Sequence, residues 1–195
     1  GSPSGKLSDT FAKKLEDYPS SETFHESVKY VDYKEDIYVG YRYFETIPGV
    51  DKAVNYPFGY GLSYTTFERA LVSAEEKQGV IRVSINVTNT GKYPGKEVMQ
   101  LYAQAPQGVL GKAKRVLVAF EKTRLLAQGE TQLLTLEAPV AQLASYDDLG
   151  KIQKSAYVLE KGKYQFYLGT SVRETEQVFC FTMPEDTVTE QLSAK

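Results

Sequence analysis

From Val80 onward apolar and polar residues alternate with a period of two, the spacing of a strand with one buried face. Val80, Ile81, Val83, Ile85 and Val87 line a first run that stops at Asn89-Thr90-Gly91. Val98, Met99, Leu101 and Tyr102 form the next, closed by Ala105-Pro106. Val116, Val118 and Phe120 follow, continued by Leu125 and Leu126, and after the turn at Gln128-Gly129 come Leu133, Leu134 and Leu136. Residues 156–159, 164–168 and 178–181 complete the series, and 141–146 reads as a single helical turn. About seven short strands with turn signals between them predict a mainly β fold, an antiparallel two-sheet sandwich of immunoglobulin-like kind.

The first third has a different texture. Residues 37–44 are rich in β-branched and aromatic side chains and read as one strand, apolar enough to be covered on both faces. Irregular chain precedes it, and Pro48-Gly49 and Pro57-Phe58-Gly59-Tyr60-Gly61 mark turns after it. One strand cannot bury a core, so this leader must lean on the sandwich or on an absent neighbour. Residues 185–195 are polar and read as a linker or a helix start.

Composition narrows the function classes. The 195 residues are 42% hydrophobic and 25% charged, ordinary globular usage, and the net charge of −2 offers no field to recruit nucleic acid or an anionic membrane. No apolar run approaches the roughly 20 residues of a membrane span. A single Cys excludes an internal disulfide, and with a single His it cannot build a Cys/His zinc cage, so neither metal nor cofactor is expected. The opening Gly1-Ser2 reads as a cloning scar on a piece of a longer protein. Fifteen Tyr and nine Phe accompany no Trp, which argues against a free-standing sugar-stacking module.

The search for chemistry finds no self-contained catalytic set. Glu35-Asp36 stand at the entry of the predicted strand, where neighbours point to opposite faces, whereas a glycosidase needs two carboxylates flanking one bond. Asp147-Asp148 reads as a polar turn before Gly150. His25 has no partner for a triad, and Cys180, between Phe179 and Phe181, reads as a buried inert thiol. Asn86-Val87-Thr88 fits a glycosylation sequon but lies within an alternating strand, and Lys112, Lys114 and Arg115 read as a solvated loop tip.

Four stretches then resemble the C-terminal part of bacterial glycoside hydrolase family 3 β-glucosidases. They are Ser4-Gly5-Lys6-Leu7 with Thr10-Phe11 and Leu15-Glu16-Asp17-Tyr18-Pro19; residues 33–44; residues 56–67; and a set through the sandwich, Val87-Thr88-Asn89-Thr90-Gly91, Gly95-Lys96-Glu97-Val98, Leu125-Leu126-Ala127-Gln128-Gly129-Glu130 and Leu143-Ala144-Ser145-Tyr146-Asp147. The resemblance implies that residues 1–67 end an α/β sandwich domain and its linker, that 68–184 form a fibronectin type III-like domain, and that 185–195 lead onward. The tail resembles the subset of the family in which the barrel follows this domain. It also implies that the nucleophile, an Asp of the barrel, and the acid/base, a Glu earlier in the α/β sandwich, match no position here. The fragment is then inactive alone, with a structural role. Its partners are the parent's barrel and α/β sandwich, and it meets a β-glucoside only through them. Tyr38, Tyr41, Tyr43, Phe58, Tyr60 and Tyr64 are the expected interdomain packing residues, and His25 the candidate for a substrate subsite of the parent. The host is expected to be bacterial and the compartment cytoplasmic in preference to secreted. The competing reading is an independent carbohydrate- or protein-binding module stacking ligand on Tyr56, Tyr60 and Tyr64.

Overall fold

The computed structural model describes residues 1–193. Two sheets face each other. One has three strands, β3 (Phe67–Lys77), β4 (Val80–Asn89) and β7 (Thr131–Pro139), in the order β3-β4-β7. The other has four, β5 (Val98–Gln104), β6 (Val116–Lys122), β10 (Gly162–Gly169) and β11 (Thr175–Met183), in the order β11-β10-β5-β6. Every pairing is antiparallel. The expected runs at 80–87, 98–102, 116–120, 133–136, 164–168 and 178–181 all fall inside these strands, and Leu126 makes an isolated bridge with Gly95. The helical turn expected at 141–146 is a 3-10 turn at Val140–Leu143.

The alternation predicts the core well on β4, while Phe120, Leu125 and Leu133, which the sequence also places in the apolar runs, are exposed. Ile81, Val83, Ile85 and Val87 of β4 meet Met99, Leu101, Phe166 and Leu168 of the opposite sheet, all essentially inaccessible to water. Every residue of this cluster comes from Ile81 or later, and the earliest side chain packed against it is Phe67. On the outer face of the three-stranded sheet, Ser84 pairs with Thr135 and Thr88 with Thr131 through their hydroxyls, and Arg82 with Glu137.

A smaller sheet, β8 (Ser145–Asp147), β9 (Ala156–Leu159) and β12 (Thr187–Gln191), closes one side in the order β12-β9-β8. It corrects the reading of residues 185–195 as a linker or helix start. Thr187, Val188 and Thr189 are β-branched; the first two pair with Leu159 and Val158 on the free edge of β9, the register shifts at Thr189, and Glu190 and Gln191 pair with Tyr157 and Ala156. Residues 194–195 lie outside the described residues. The strand β3 was not expected either. It sits at a sheet edge with most side chains exposed, so it lacks the alternation that betrays a half-buried strand.

The leader departs most from expectation. Residues 37–44 are not a strand. The left-handed backbone at Asp36 and at Gly40 interrupts the extended chain, and a short helix α1 (Tyr41–Thr46) follows. Its spacing explains the change. Tyr41 and Phe44 are three residues apart, so a helix places both rings toward the body of the molecule. Phe44 is buried against Tyr18 and Tyr43, and Tyr41 reaches the sandwich. Packing overrides the β propensity of the sequence. The only strands among the described leader residues are the short pair β1 (Phe11–Ala12) and β2 (Val54–Tyr56).

Because the main core takes nothing from the leader, a chain starting at Thr65 is expected to unfold in one cooperative transition, at a lower midpoint than the full 195 residues. Urea denaturation followed by circular dichroism checks this. A broad, non-cooperative loss of signal would mean that the leader is part of the folding unit.

Candidate functional site

The molecule's most constrained region is where the leader crosses the outer face of β5 and β10. β5 is buried on both faces. Met99, Leu101 and Ala103 point into the core, while Gln100 and Tyr102 point outward and are covered by the leader. Tyr41 stacks on Phe58 with centroids 4.3 Å apart, and both rings stand edge-on to Tyr102. Three polar groups are sealed beneath them. Gln100 Nε2 donates to Gly59 O at 3.2 Å and to Thr170 O at 2.7 Å, and the Tyr102 hydroxyl donates to Gln100 Oε1. Burial, chiefly, pushes the Tyr102 phenol far above its ordinary pKa, so it remains a donor at any working pH. Leaving one of these groups unpaired in so dry a place costs about 1–3 kcal/mol.

Gly59 has no substitute here. Its φ is +81°, and a Cβ would run into the Gln100 side chain. The expected tight turn at 57–61 is therefore the point where leader backbone touches strand side chain. Around it lies a belt of further contacts. The Leu117 N–H donates to Tyr41 Oη at 2.9 Å, the Val172 N–H to Phe58 O at 3.0 Å, and the Lys114 N–H to Thr46 Oγ1 at 2.8 Å. Arg173 pairs with Glu45 at 2.7 Å and Lys6 with Glu97 at 2.8 Å.

Of the basic cluster after Gly111 only Lys114 is exposed, as a solvated tip would be; Lys112 and Arg115 are not. Arg115 lies 4.0 Å over the Tyr167 ring and donates to Val172 O and Thr175 Oγ1. Lys112 is buried and paired with Glu160, whose other oxygen accepts the Val109 and Leu110 N–H groups. Burial pushes the Lys112 ammonium down to about 8 against the pull of Asp186, and its contact with the Glu160 carboxylate acts in the same sense as Asp186.

The expected packing residues separate into groups. Tyr41 and Phe58 are spent within the chain, on Tyr102. Tyr43, half-buried, edges against Phe44. Tyr38, half-buried, lines an open groove of about 720 Å³ with Arg42, Lys112 and Tyr146. Tyr60 packs on Tyr56 at 5.2 Å. Tyr64 is exposed and lines a different groove with Tyr93, without ring contact to Tyr56 or Tyr60 among the described residues, so these three do not form one stacking surface. His25 is exposed beside Phe24 on an excursion of the leader.

The remaining candidates resolve locally. Cys180 is exposed, not buried. Phe179 and Phe181 turn inward to Phe166 and Tyr164, and alternation puts the thiol outside. Asp147 is buried at a strand end, as the expected polar turn before Gly150 requires. Burial works against its charge, but four backbone N–H groups, of Ile152, Lys151, Gln153 and Gly150, donate to the carboxylate and hold its pKa below the usual range. A carboxylate so engaged is a structural hub for the 148–153 turn. Sequence reasoning missed Gln100 and Glu160 altogether, and the roles of Tyr102 and Arg115. The one available signal was the consecutive Leu101-Tyr102-Ala103, which marks a stretch covered on both faces, whereas polar Gln100 interrupts the apolar run and carries no such mark.

The description "Fibronectin type III-like domain" matches residues 97–172. The chain is 56% identical over 209 residues to a β-glucosidase A of Butyrivibrio fibrisolvens, covering 99% of this chain and 25% of that protein. It is 48% identical over 193 residues to a β-glucosidase of Ruminococcus albus, covering 98% and 20% respectively. A solved β-glucosidase from Paenibacillus barengoltzii superposes with a TM-score of 0.93 at 50% identity, over 99% of this chain and 22% of that one. The chain thus spans a quarter or less of the length of these relatives.

Asp147→Asn should lower the melting temperature at pH 7. The wild-type advantage rests on a depressed carboxyl pKa. It is therefore full above the unfolded value of about 3.9 and shrinks as pH falls through the folded value. Parallel melts of the two proteins from pH 7 to pH 2 check this. A difference that stays constant over the range would mean that the ionised form is not what holds the turn.

Proposed function

The chain belongs to the glycoside hydrolase family 3 β-glucosidases, corresponding to their C-terminal part, and from that premise we propose that it serves as a non-catalytic brace. The observation that carries this reading is the division of labour among its aromatic residues. Tyr41 and Phe58 clamp the leader to β5, while the apolar side chains between Phe24 and Val39 remain turned to solvent. A segment locked at one end and apolar at the other is suited to tying a rigid sandwich to further domains. In this reading residues 1–67 complete a neighbouring α/β domain, 68–184 form the bracing sandwich, and 185–193 lead onward as its added strand.

The parent then performs retaining hydrolysis of β-glucosides, in which one carboxylate attacks the anomeric carbon and another protonates the leaving oxygen. The carboxylates of this segment serve other ends. Asp147 is consumed by four amides. Glu35 and Asp36 are adjacent on the irregular excursion, the former half-buried and the latter exposed. His25 stays as our candidate for a side chain reaching a substrate subsite of the parent, because it is exposed on the same excursion.

The isolated chain is expected to release no nitrophenol from 4-nitrophenyl β-glucoside. Turnover that disappears in the double variant Glu35→Gln, Asp36→Asn would overturn the non-catalytic reading. In the full-length enzyme His25→Ala should raise KM for disaccharides and leave kcat nearly unchanged. An unaltered KM would remove His25 from the subsite.

A further inference from the structure

The excursion between the 3-10 turn at Pro19–Glu22 and helix α1 is unusual for a loop. It contains no strand or helix among its described residues. A handful of local bonds hold it, chiefly Thr23 Oγ1 donating to Asp32 O at 2.9 Å and the Tyr38 N–H to Glu35 O at 2.8 Å. Yet Phe24, Val28, Tyr30, Val31, Tyr33, Ile37 and Val39 are all exposed, Val28 fully and Tyr33 to 87%. Single exposed apolar residues are ordinary, but seven in sixteen positions of one loop are not.

Charge adds a second, independent feature. Residues 22–36 carry five carboxylates (Glu22, Glu26, Asp32, Glu35, Asp36) against Lys29 and Lys34. Lys34 approaches Glu22 at 3.8 Å. Glu35 keeps one carboxylate oxygen buried, so the outward charge comes from Glu22, Glu26, Asp32 and Asp36, all exposed. The surface is thus apolar with an acidic rim.

The relatives indicate the source of the cover. They share the chain over 98–99% of its length, this excursion included, and it accounts for only 20–25% of theirs. We propose that residues 24–39 are the docking surface for another domain of the same parent polypeptide, whose facing surface is apolar with a basic rim. The inference rests on the bracing reading and sharpens it. The contact is made by this excursion, not by Tyr41 and Phe58, which the sandwich already uses.

Amide hydrogen exchange tests it, on the isolated chain and on the full-length parent. Amides of 24–39 should exchange rapidly in the isolated chain and about tenfold or more slowly in the parent. Equal rates in the two would overturn the proposal, as would a dimer of the isolated chain that protects 24–39 when the parent does not, since the occupant would then be a second copy. Val28→Asp with Tyr33→Asp should lower the melting temperature of the parent and leave that of the isolated chain unchanged. An equal fall in both would assign these residues to the leader's own stability and reject docking. The bracing reading fails separately. If 24–39 exchanges freely in the parent but Gln100→Ala still destabilises it, the brace stands and only this surface is wrong. If 24–39 is protected but Gln100→Ala leaves the parent's stability unchanged, docking stands and the brace is wrong.

Discussion

A strand buried on both faces must satisfy every polar group it carries, and β5 sets that condition for the whole molecule. Its inner side chains meet an ordinary apolar core. Its outer ones, Gln100 and Tyr102, are sealed beneath the leader. The glutamine amide solves the problem by bonding the leader backbone at Gly59, the β10–β11 connection at Thr170 and the Tyr102 hydroxyl together. Each partner is useless to the others if displaced, because water cannot replace it without opening the face. A small polar knot thereby fixes the leader's path over the sheet with more specificity than the surrounding rings could, since ring contacts tolerate sliding and hydrogen bonds do not.

The position of that knot also accounts for the uneven fate of the tyrosines. Those within reach of β5 are drawn into the chain's own packing. Those on the excursion, Tyr30 and Tyr33 among them, cannot reach it and stay in water. Nine of the fifteen Tyr fall between Tyr18 and Tyr64, so a composition that looks uniform along the leader supports two different tasks.

Much of the sandwich was legible from period-two alternation, because burying one face of a strand writes that period into the sequence. The places where reading failed share a physical cause. β3 and β12 are edge strands with most side chains exposed, β3 touching the core only at Phe67 and Ala74, so neither carries a clear alternation. Residues 37–44 have the composition of a strand but a helix spacing between Tyr41 and Phe44, and only the position of Phe58 and Tyr102 decides between them. Cys180 was misjudged by its neighbours' identity although alternation alone places it outside. Charged side chains were hardest. Nothing local to Lys112 announces that Glu160, 48 positions away, will bury it.

That buried pair has a consequence for how such sequences diverge. Lys112 or Glu160 replaced singly leaves an uncompensated charge in a site with no access to water, a loss of about 3–5 kcal/mol, whereas replacing both by well-packed apolar residues is close to neutral. The backbone nearby tightens the constraint, because Gly108 has no room for a side chain beside the Glu160 carboxylate. Evolution can therefore cross this position only by a paired exchange, and in an alignment of the family the two columns should be charged together or apolar together, seldom mixed.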